Sequence, residues 1–290
     1  MTGFSADWLS MREPYDRDAR DMAAHALGLD AFAARLRGDE PMLTVLDLAC
    51  GTGANLRELA PRLKGSQRWT VIDHDAGLLQ ALPEKVVAWA NANGFVAQTD
   101  TGCIQVEGPD WDVEVQTLCI DLASDLRSVP FARARLVTAS ALLDLVSGEW
   151  MDALVAQARA AGAAMLFALT VDGRVTWDPP VPGDDEVDRL FALDQRRDKG
   201  FGPSLGTAAV NEVSSRLDAL GYAVVRTPSD WHIQGAEGRA MLIAMIEGMA
   251  AAVVDQDPGS REWVDDWMRR RCDVVDRTRL HVGHQDIIAS

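Results

Sequence analysis

The chain has 290 residues, 48% of them hydrophobic, and a formal charge of −16. That length and apolar content are enough for one large α/β domain with additions, while the excess of acids argues against a nucleic-acid partner, because neutralising phosphates requires a positive surface. No run approaches the roughly 18 apolar residues of a spanning helix, and Met1-Thr2-Gly3-Phe4-Ser5-Ala6-Asp7 lacks the basic and apolar regions of a leader, so a cytoplasmic protein with no membrane partner is expected.

Residues 1–40 read as helical, with Asp18 to Leu27 placed to cap whatever the first strand presents. The most informative stretch follows. Val45-Leu46-Asp47-Leu48-Ala49-Cys50-Gly51-Thr52-Gly53 is an apolar strand that ends in an acid and a glycine turn opening a helix. Gly51 and Gly53 lack Cβ atoms, so backbone there can turn tightly and approach a ligand closely. A second acid, Asp73, closes the next apolar run, Trp69-Thr70-Val71-Ile72. Two acids at the ends of two strands are suited to holding two polar ends of one cofactor.

From residue 43 onward apolar strands alternate with amphipathic helices, the pattern of a mostly parallel, doubly wound sheet. Strands are predicted at 43–48, 68–73, 113–120, 134–140, 163–170, 222–228 and 280–288, and helices at 54–63, 75–92, 148–160 and 207–220. Two insertions are expected: a polar loop over 171–206, and a pair of helices over 236–278 separated by Asp257-Pro258-Gly259. The division is therefore a helical cap, 1–40, and an α/β domain, 41–290. Arg269, Arg270 and Arg271, followed by Arg277 and Arg279, read as a solvated face paired with the acids of 261–268. Cys50, Cys103, Cys119 and Cys272 show no C-x-x-C spacing and read as reduced thiols.

The segment Asp47 to Gly53 resembles the first motif of the class I S-adenosylmethionine-dependent methyltransferases. The resemblance implies an α/β fold with a seven-stranded sheet whose last strand is antiparallel beside the fifth. It implies S-adenosylmethionine as cofactor and S-adenosylhomocysteine as product. Asp47, Ala49, Cys50, Gly51 and Gly53 would then meet the methionine end, Asp73 with His74 the ribose, and Asp121 with Leu122 the adenine. Ser140 lies in Thr138 to Asp144, where the family places residues facing the methyl group. Ala49 departs from the glycine that many members carry, and the chain lacks the Asn/Asp-Pro-Pro-Tyr/Phe motif of enzymes acting on nucleic-acid bases.

Transfer from a sulfonium needs alignment and desolvation more than a fixed triad, so the acceptor is less legible than the cofactor. Asp144 is the candidate for orienting the acceptor or taking its proton, and His232 is a second candidate base. Arg12, Tyr15 and Arg17 form a short cationic and aromatic run that could close over both ligands, with Arg12 or Arg17 clamping the cofactor carboxylate; surface pairing with Glu13, Asp16 or Asp18 is the other reading. Asp198, Lys199 and Trp231 are expected near the pocket mouth. His281 and His284, three apart on the last strand, are expected on opposite faces, and no metal is expected. The segments 1–17 and 171–206 are expected to act as a lid. The partner is read as a small-molecule acceptor methylated on oxygen, nitrogen or carbon, by a monomer or homodimer. A NAD(P)-dependent oxidoreductase shares the strand, loop and acid, but Leu56 stands where its third glycine would fall. A non-catalytic S-adenosylmethionine-binding protein is the remaining alternative.

Overall fold

In the computed structural model, which describes residues 6–100 and 102–290, two helices, α1 (Ala6–Leu27) and α2 (Leu29–Arg37), precede the first strand, β1 (Leu43–Leu48). The helix expected over residues 1–5 lies outside the described residues. Next come α3 (Ala54–Leu63), β2 (Gly65–Asp73), α4 (Ala76–Ala92), β3 (Val96–Asp100), β4 (Cys103–Glu107) and β5 (Trp111–Cys119). The centre of the chain holds β6 (Leu136–Ser140), α5 (Gly148–Ala160), β7 (Ala164–Asp178), α6 (Asp184–Asp194) and α7 (Ala209–Ala219). It closes with β8 (Val224–Pro228), β9 (Trp231–Gln234), α8 (Arg239–Gln256), α9 (Arg261–Asp273) and β10 (Arg279–Ala289).

The sheet runs β3-β4-β5-β2-β1-β6-β7-β10-β8, with β9 added to β10. The five central strands β5, β2, β1, β6 and β7 are mutually parallel, and β10 is antiparallel between β7 and β8. Successive side chains of β1 serve opposite faces: Val45 packs with α2, α3 and α4 residues such as Phe32, Leu59 and Leu82, while Leu46 and Leu48 pack with Met151, Leu154 and Val213 of α5 and α7. Burial on both faces is why β1, β6 and the first half of β7 read as near-continuous apolar runs, whereas β5 alternates.

All seven expected strands are present, as β1, β2, β5, β6, β7, β8 and β10. Among the described residues the sheet has ten strands rather than seven. The β3–β4 hairpin joins β5 antiparallel, and only Ile104 and Val106 in it are buried, too few to mark it in the sequence. The polar loop expected over 171–206 is also corrected. β7 continues to Asp178 because β10 offers it a partner, with Val282 opposite Val175 and Arg279 opposite Asp178, and α6 follows with Val187 and Leu190 buried. Irregular backbone is confined mainly to 195–206, where the Asp198 carboxylate accepts the Gly200 and Gly202 amides.

β6 ends at Ser140, opposite Ala168, so the rest of β7, the first half of β10 and β9 extend as a three-stranded arm beyond the sheet. The expected helix pair, α8 and α9, packs on this arm through Trp231, Ile233, Leu280 and Val282. Arg269 and Arg270 pair with Asp266 on the surface as expected. Arg271 does not: it is fully buried, its Nε donates to Asp184 Oδ1 at 2.8 Å, and its guanidinium lies 4.4 Å from the Trp177 ring centre.

Candidate functional site

The turn after β1 alternates left-handed backbone: φ is +54° at Ala49, +54° at Gly51 and +82° at Gly53. Glycine takes this conformation freely, whereas alanine there costs about 1–2 kcal/mol, so Ala49 is held by its surroundings. Asp73 fastens the turn to the end of β2, its Oδ2 accepting the Gly51 amide at 2.8 Å and its Oδ1 the Asp75 amide at 2.9 Å. Each oxygen keeps a second lone pair. His74 is exposed beside it, Nδ1 3.3 Å from Asp73 Oδ1. Asp121 is exposed and folded onto its own turn, accepting from the Ala123 amide and the Ser124 hydroxyl, and Leu122 is buried next to it.

Between this turn and α1 lies a cavity of about 100 Å³, walled by Leu9, Arg12, Glu13, Asp16, Arg17 and Arg20 from the helix and by Ala49 to Thr52, Asn55, Ser140, Ala141 and Leu169 from the sheet side. Beneath it runs a buried polar network. Asn55 Nδ2 donates to Asp47 Oδ1 at 2.6 Å and to Thr138 Oγ1 at 3.1 Å, and Arg20 Nη1 donates to Asn55 Oδ1 at 2.8 Å. Arg20 Nε lies 3.9 Å from Asp286 Oδ2, and Asp286 Oδ1 accepts the Leu169 amide at 2.8 Å. Among the described residues, Asp47 Oδ2 is buried with no hydrogen-bond partner. Burial pushes the Asp47 carboxyl up to about 7, with Asn55 and Arg20 opposing the rise and Asp73 adding to it. Burial likewise raises Asp286 against the pull of Arg20, and raises the Cys50 thiol.

Toward the arm, Arg12 gathers a second group. Its Nε donates to Asp16 Oδ2 at 2.9 Å, Asp16 Oδ1 accepts the Trp231 indole N–H at 3.0 Å, and the guanidinium sits 5.1 Å from the Trp231 ring centre. Trp231 packs on His284, centroids 4.8 Å apart. His284 Nδ1 faces the Val282 carbonyl at 3.1 Å, which assigns the proton to Nδ1 and leaves Nε2 as an acceptor. Burial, reinforced by Arg12, pushes the His284 pKa down to about 4, so its ring is neutral at pH 7. Asp144, in the short 3-10 turn Leu143–Leu145, has its Oδ1 buried without a partner among the described residues; burial lifts its pKa to about 6 against its own backbone amide and Arg12.

The structure thus brings together Ala49, Cys50, Gly51, Ser140, Arg12, Arg17 and Arg20 around one cavity, with Asp47 beneath it through Asn55 and Asp73 behind Gly51. Four of the expected residues do not line the cavity. Strand alternation turns His232 away from Trp231's side, and it is exposed, stacked on His281 at 4.9 Å. Asp198 and Lys199 brace their own loop, Lys199 Nζ holding Asp194 at 2.9 Å. Tyr15 is half-buried against the edge of the core, its hydroxyl pKa raised by burial, Asp18 and Glu237. Asn55, Arg20 and Asp286 escaped the sequence reading as site residues, although Asn55 in an apolar helix face and Asp286 in an apolar strand are the irregularities that mark such groups.

No protein-family model matches this sequence, and no curated protein matches it. Among solved structures, a cyclopropane-fatty-acyl-phospholipid synthase-like protein from Lactobacillus casei is similar over 99% of this chain and 95% of its own, with 14% identity and a TM-score of 0.51. A SAM-dependent methyltransferase from Geobacter sulfurreducens, solved in complex with S-adenosyl-L-homocysteine, aligns over 90% of this chain and 89% of its own at 15% identity, TM-score 0.39. A precorrin-6y C5,15-methyltransferase from Geobacter metallireducens aligns over 90% and 85% at 10% identity, TM-score 0.41. The first of these likenesses establishes a shared fold; the other two are weaker.

Proposed function

We propose that this protein is an S-adenosylmethionine-dependent methyltransferase acting on a small molecule. The observation that carries the reading is the buried Asp47 carboxylate with an unpartnered oxygen beneath the left-handed turn. A buried acceptor without a partner costs about 1–3 kcal/mol, a cost that a ligand's ammonium would remove. Asp47 and the backbone of Ala49 to Gly51 would hold the methionine end, the free lone pairs of Asp73 beside His74 the ribose hydroxyls, and Asp121 with Leu122 the adenine edge. When bound, the cofactor supplies a methyl group on a sulfonium, already a good leaving group. The chain's part is to align the acceptor and exclude water, with α1 as roof.

Ser140, Arg12 and Trp231 line the approach of the acceptor, and Asp144 is the group to take its proton. A carboxyl with a pKa of about 6 is matched to proton transfer near neutral pH. The charge of −16 supports a small-molecule acceptor over a nucleic acid. Among the described residues no helix is long and apolar enough to cross a membrane, in keeping with a cytoplasmic enzyme.

Calorimetry with S-adenosylhomocysteine and NADH tests the reading. The homocysteine compound is expected to bind at about −8 kcal/mol, a low micromolar Kd, and Asp73→Ala to weaken it by about 1.5–3 kcal/mol. Tighter binding of NADH would favour the oxidoreductase instead. A screen for transfer of an isotope-labelled methyl group separates an enzyme from a non-catalytic binder.

A further inference from the structure

We infer that the groove between α1, α3 and α4, outside the inner cavity, is a second binding site, for a small molecule that pairs a planar apolar ring with an acidic group. The inference goes beyond the cofactor reading and does not depend on it.

The groove measures about 590 Å³, within the range of about 300–1,000 Å³ usual for small-molecule sites, whereas the inner cavity measures about 100 Å³. Pro14 and Arg17 of α1, Pro61 of α3, and Lys85 and Trp89 of α4 line it, with Phe95 just beyond the end of α4. Trp89 is half-buried. It packs edge to face on Phe95, ring centres 5.3 Å apart, and lies tilted on Trp111 at 5.9 Å. Two rings thus hold the indole in place while the rest of its surface is left to the groove, the arrangement that suits stacking by a third, flat ring.

The charges of the groove do not cancel. Arg57 is paired with Glu13, and Arg62 with Asp21 and Glu58, which uses every acid of the lining. Among the described residues Arg17 has no acid within ion-pair distance, and Lys85 reaches only the Ser10 hydroxyl, at 3.4 Å. The chain has two other lysines, Lys64 and Lys199, and each holds an aspartate, at 3.2 and 2.9 Å. In a protein of charge −16, acids to pair with are in excess, so two uncompensated cations beside an aromatic surface mark a place for an anion brought by a ligand.

Calorimetry on the full-length protein with 2-naphthoate and its neutral amide, 2-naphthamide, tests the site. The acid is expected to bind about tenfold more tightly than the amide, and the difference to shrink as salt is raised. Lys85→Met and Arg17→Met should each weaken the acid severalfold and leave the amide within about twofold, whereas Trp89→Leu should weaken both alike. Ala88→Glu, at an exposed groove position of α4, is expected to fold as the parent does and to remove the preference for the acid. Equal affinity for acid and amide in the unaltered protein, or a preference that survives both Lys85→Met and Ala88→Glu, would overturn the assignment, as would failure of both probes to bind at millimolar concentration. S-adenosylhomocysteine affinity, expected to be unchanged in Lys85→Met, reports on the inner cavity separately, so the groove site can fall while the cofactor reading stands.

Discussion

Asp47 is the residue on which stability and binding pull in opposite directions. Its carboxyl is raised from 3.8 to about 7, so folding favours the protonated form. The stabilisation is therefore complete below about pH 4 and is lost as pH rises through 7, where the folded protein must bury a charge. At 1.36 kcal/mol per unit, the loss reaches up to about 4 kcal/mol above pH 7. Asp47→Asn is accordingly expected to raise thermal stability at pH 8, have little effect near pH 4, and weaken S-adenosylhomocysteine at both. A variant less stable than the parent at pH 8 would show that Asp47 is ionised and well solvated in the free protein. Binding an ammonium to Asp47 should also release a proton near pH 7, so affinity is expected to fall as pH drops below 7. Calorimetry in buffers of different ionisation enthalpy reads that proton directly.

At this scale the sequence is half legible. Asp47, Gly51, Gly53 and Asp73 declare themselves because each sits at a strand end or a turn whose local pattern demands it. Arg20, Asn55 and Asp286 do not, because what makes them a site is a meeting of three segments 35 and more residues apart. Arg271 misled for a related reason: a run of three arginines on a helix gives no hint that the last one points inward.

The element that governs access is α1. Leu9 packs against the glycine turn, its Cδ1 3.4 Å from where a Cβ on Gly51 would stand. The cavity left is about 100 Å³, whereas small-molecule sites usually measure about 300–1,000 Å³. The first turns of α1 must therefore shift before a nucleoside enters. Pro14 marks the natural break, since it cannot donate to the carbonyl one turn earlier, and Glu13 latches the segment to Arg57 at 2.8 Å, with Arg57 also holding the Thr52 carbonyl. Leu9→Ala is expected to speed association of S-adenosylhomocysteine severalfold with no loss of affinity, since a smaller plug is easier to displace. Stopped-flow tryptophan fluorescence, with Trp8 on the same helix, follows it. A weaker Kd without faster entry would make Leu9 a wall that holds the ligand in place. The other half of the expected lid behaves differently: amides of 171–178 and 184–194 belong to β7 and α6, so hydrogen exchange should find them protected before any ligand is added.

Across the whole molecule, the legible part is the doubly wound sheet and the hidden part is the arm. β1, β6 and the first half of β7 show in the sequence because burial on both faces leaves them few polar residues. The arm does not, because its strands alternate charged and apolar residues, as in Asp172-Gly173-Arg174-Val175-Thr176-Trp177, and its pairing depends on β10 arriving from a hundred residues later. What fixes the arm to its helices is one buried knot: Asp184 accepts from Arg271 and from the Trp267 indole at 2.9 Å, while Arg271 also donates to the Pro179 carbonyl at 3.0 Å. A buried pair contributes little against a well-packed apolar replacement, but removing one partner strands the other. Arg271→Met is thus expected to cost about 3–5 kcal/mol in denaturant unfolding, and Arg271→Met combined with Asp184→Leu to recover much of it. None of these residues lines the cavity, so S-adenosylhomocysteine affinity should stay within about threefold in whichever variant folds. If the double variant is no more stable than the single one, the knot is held by geometry rather than by charge neutralisation. If affinity falls with stability, the arm and the cavity form one cooperative unit, and the Trp231 contact to Asp16 is the first place to look for the coupling.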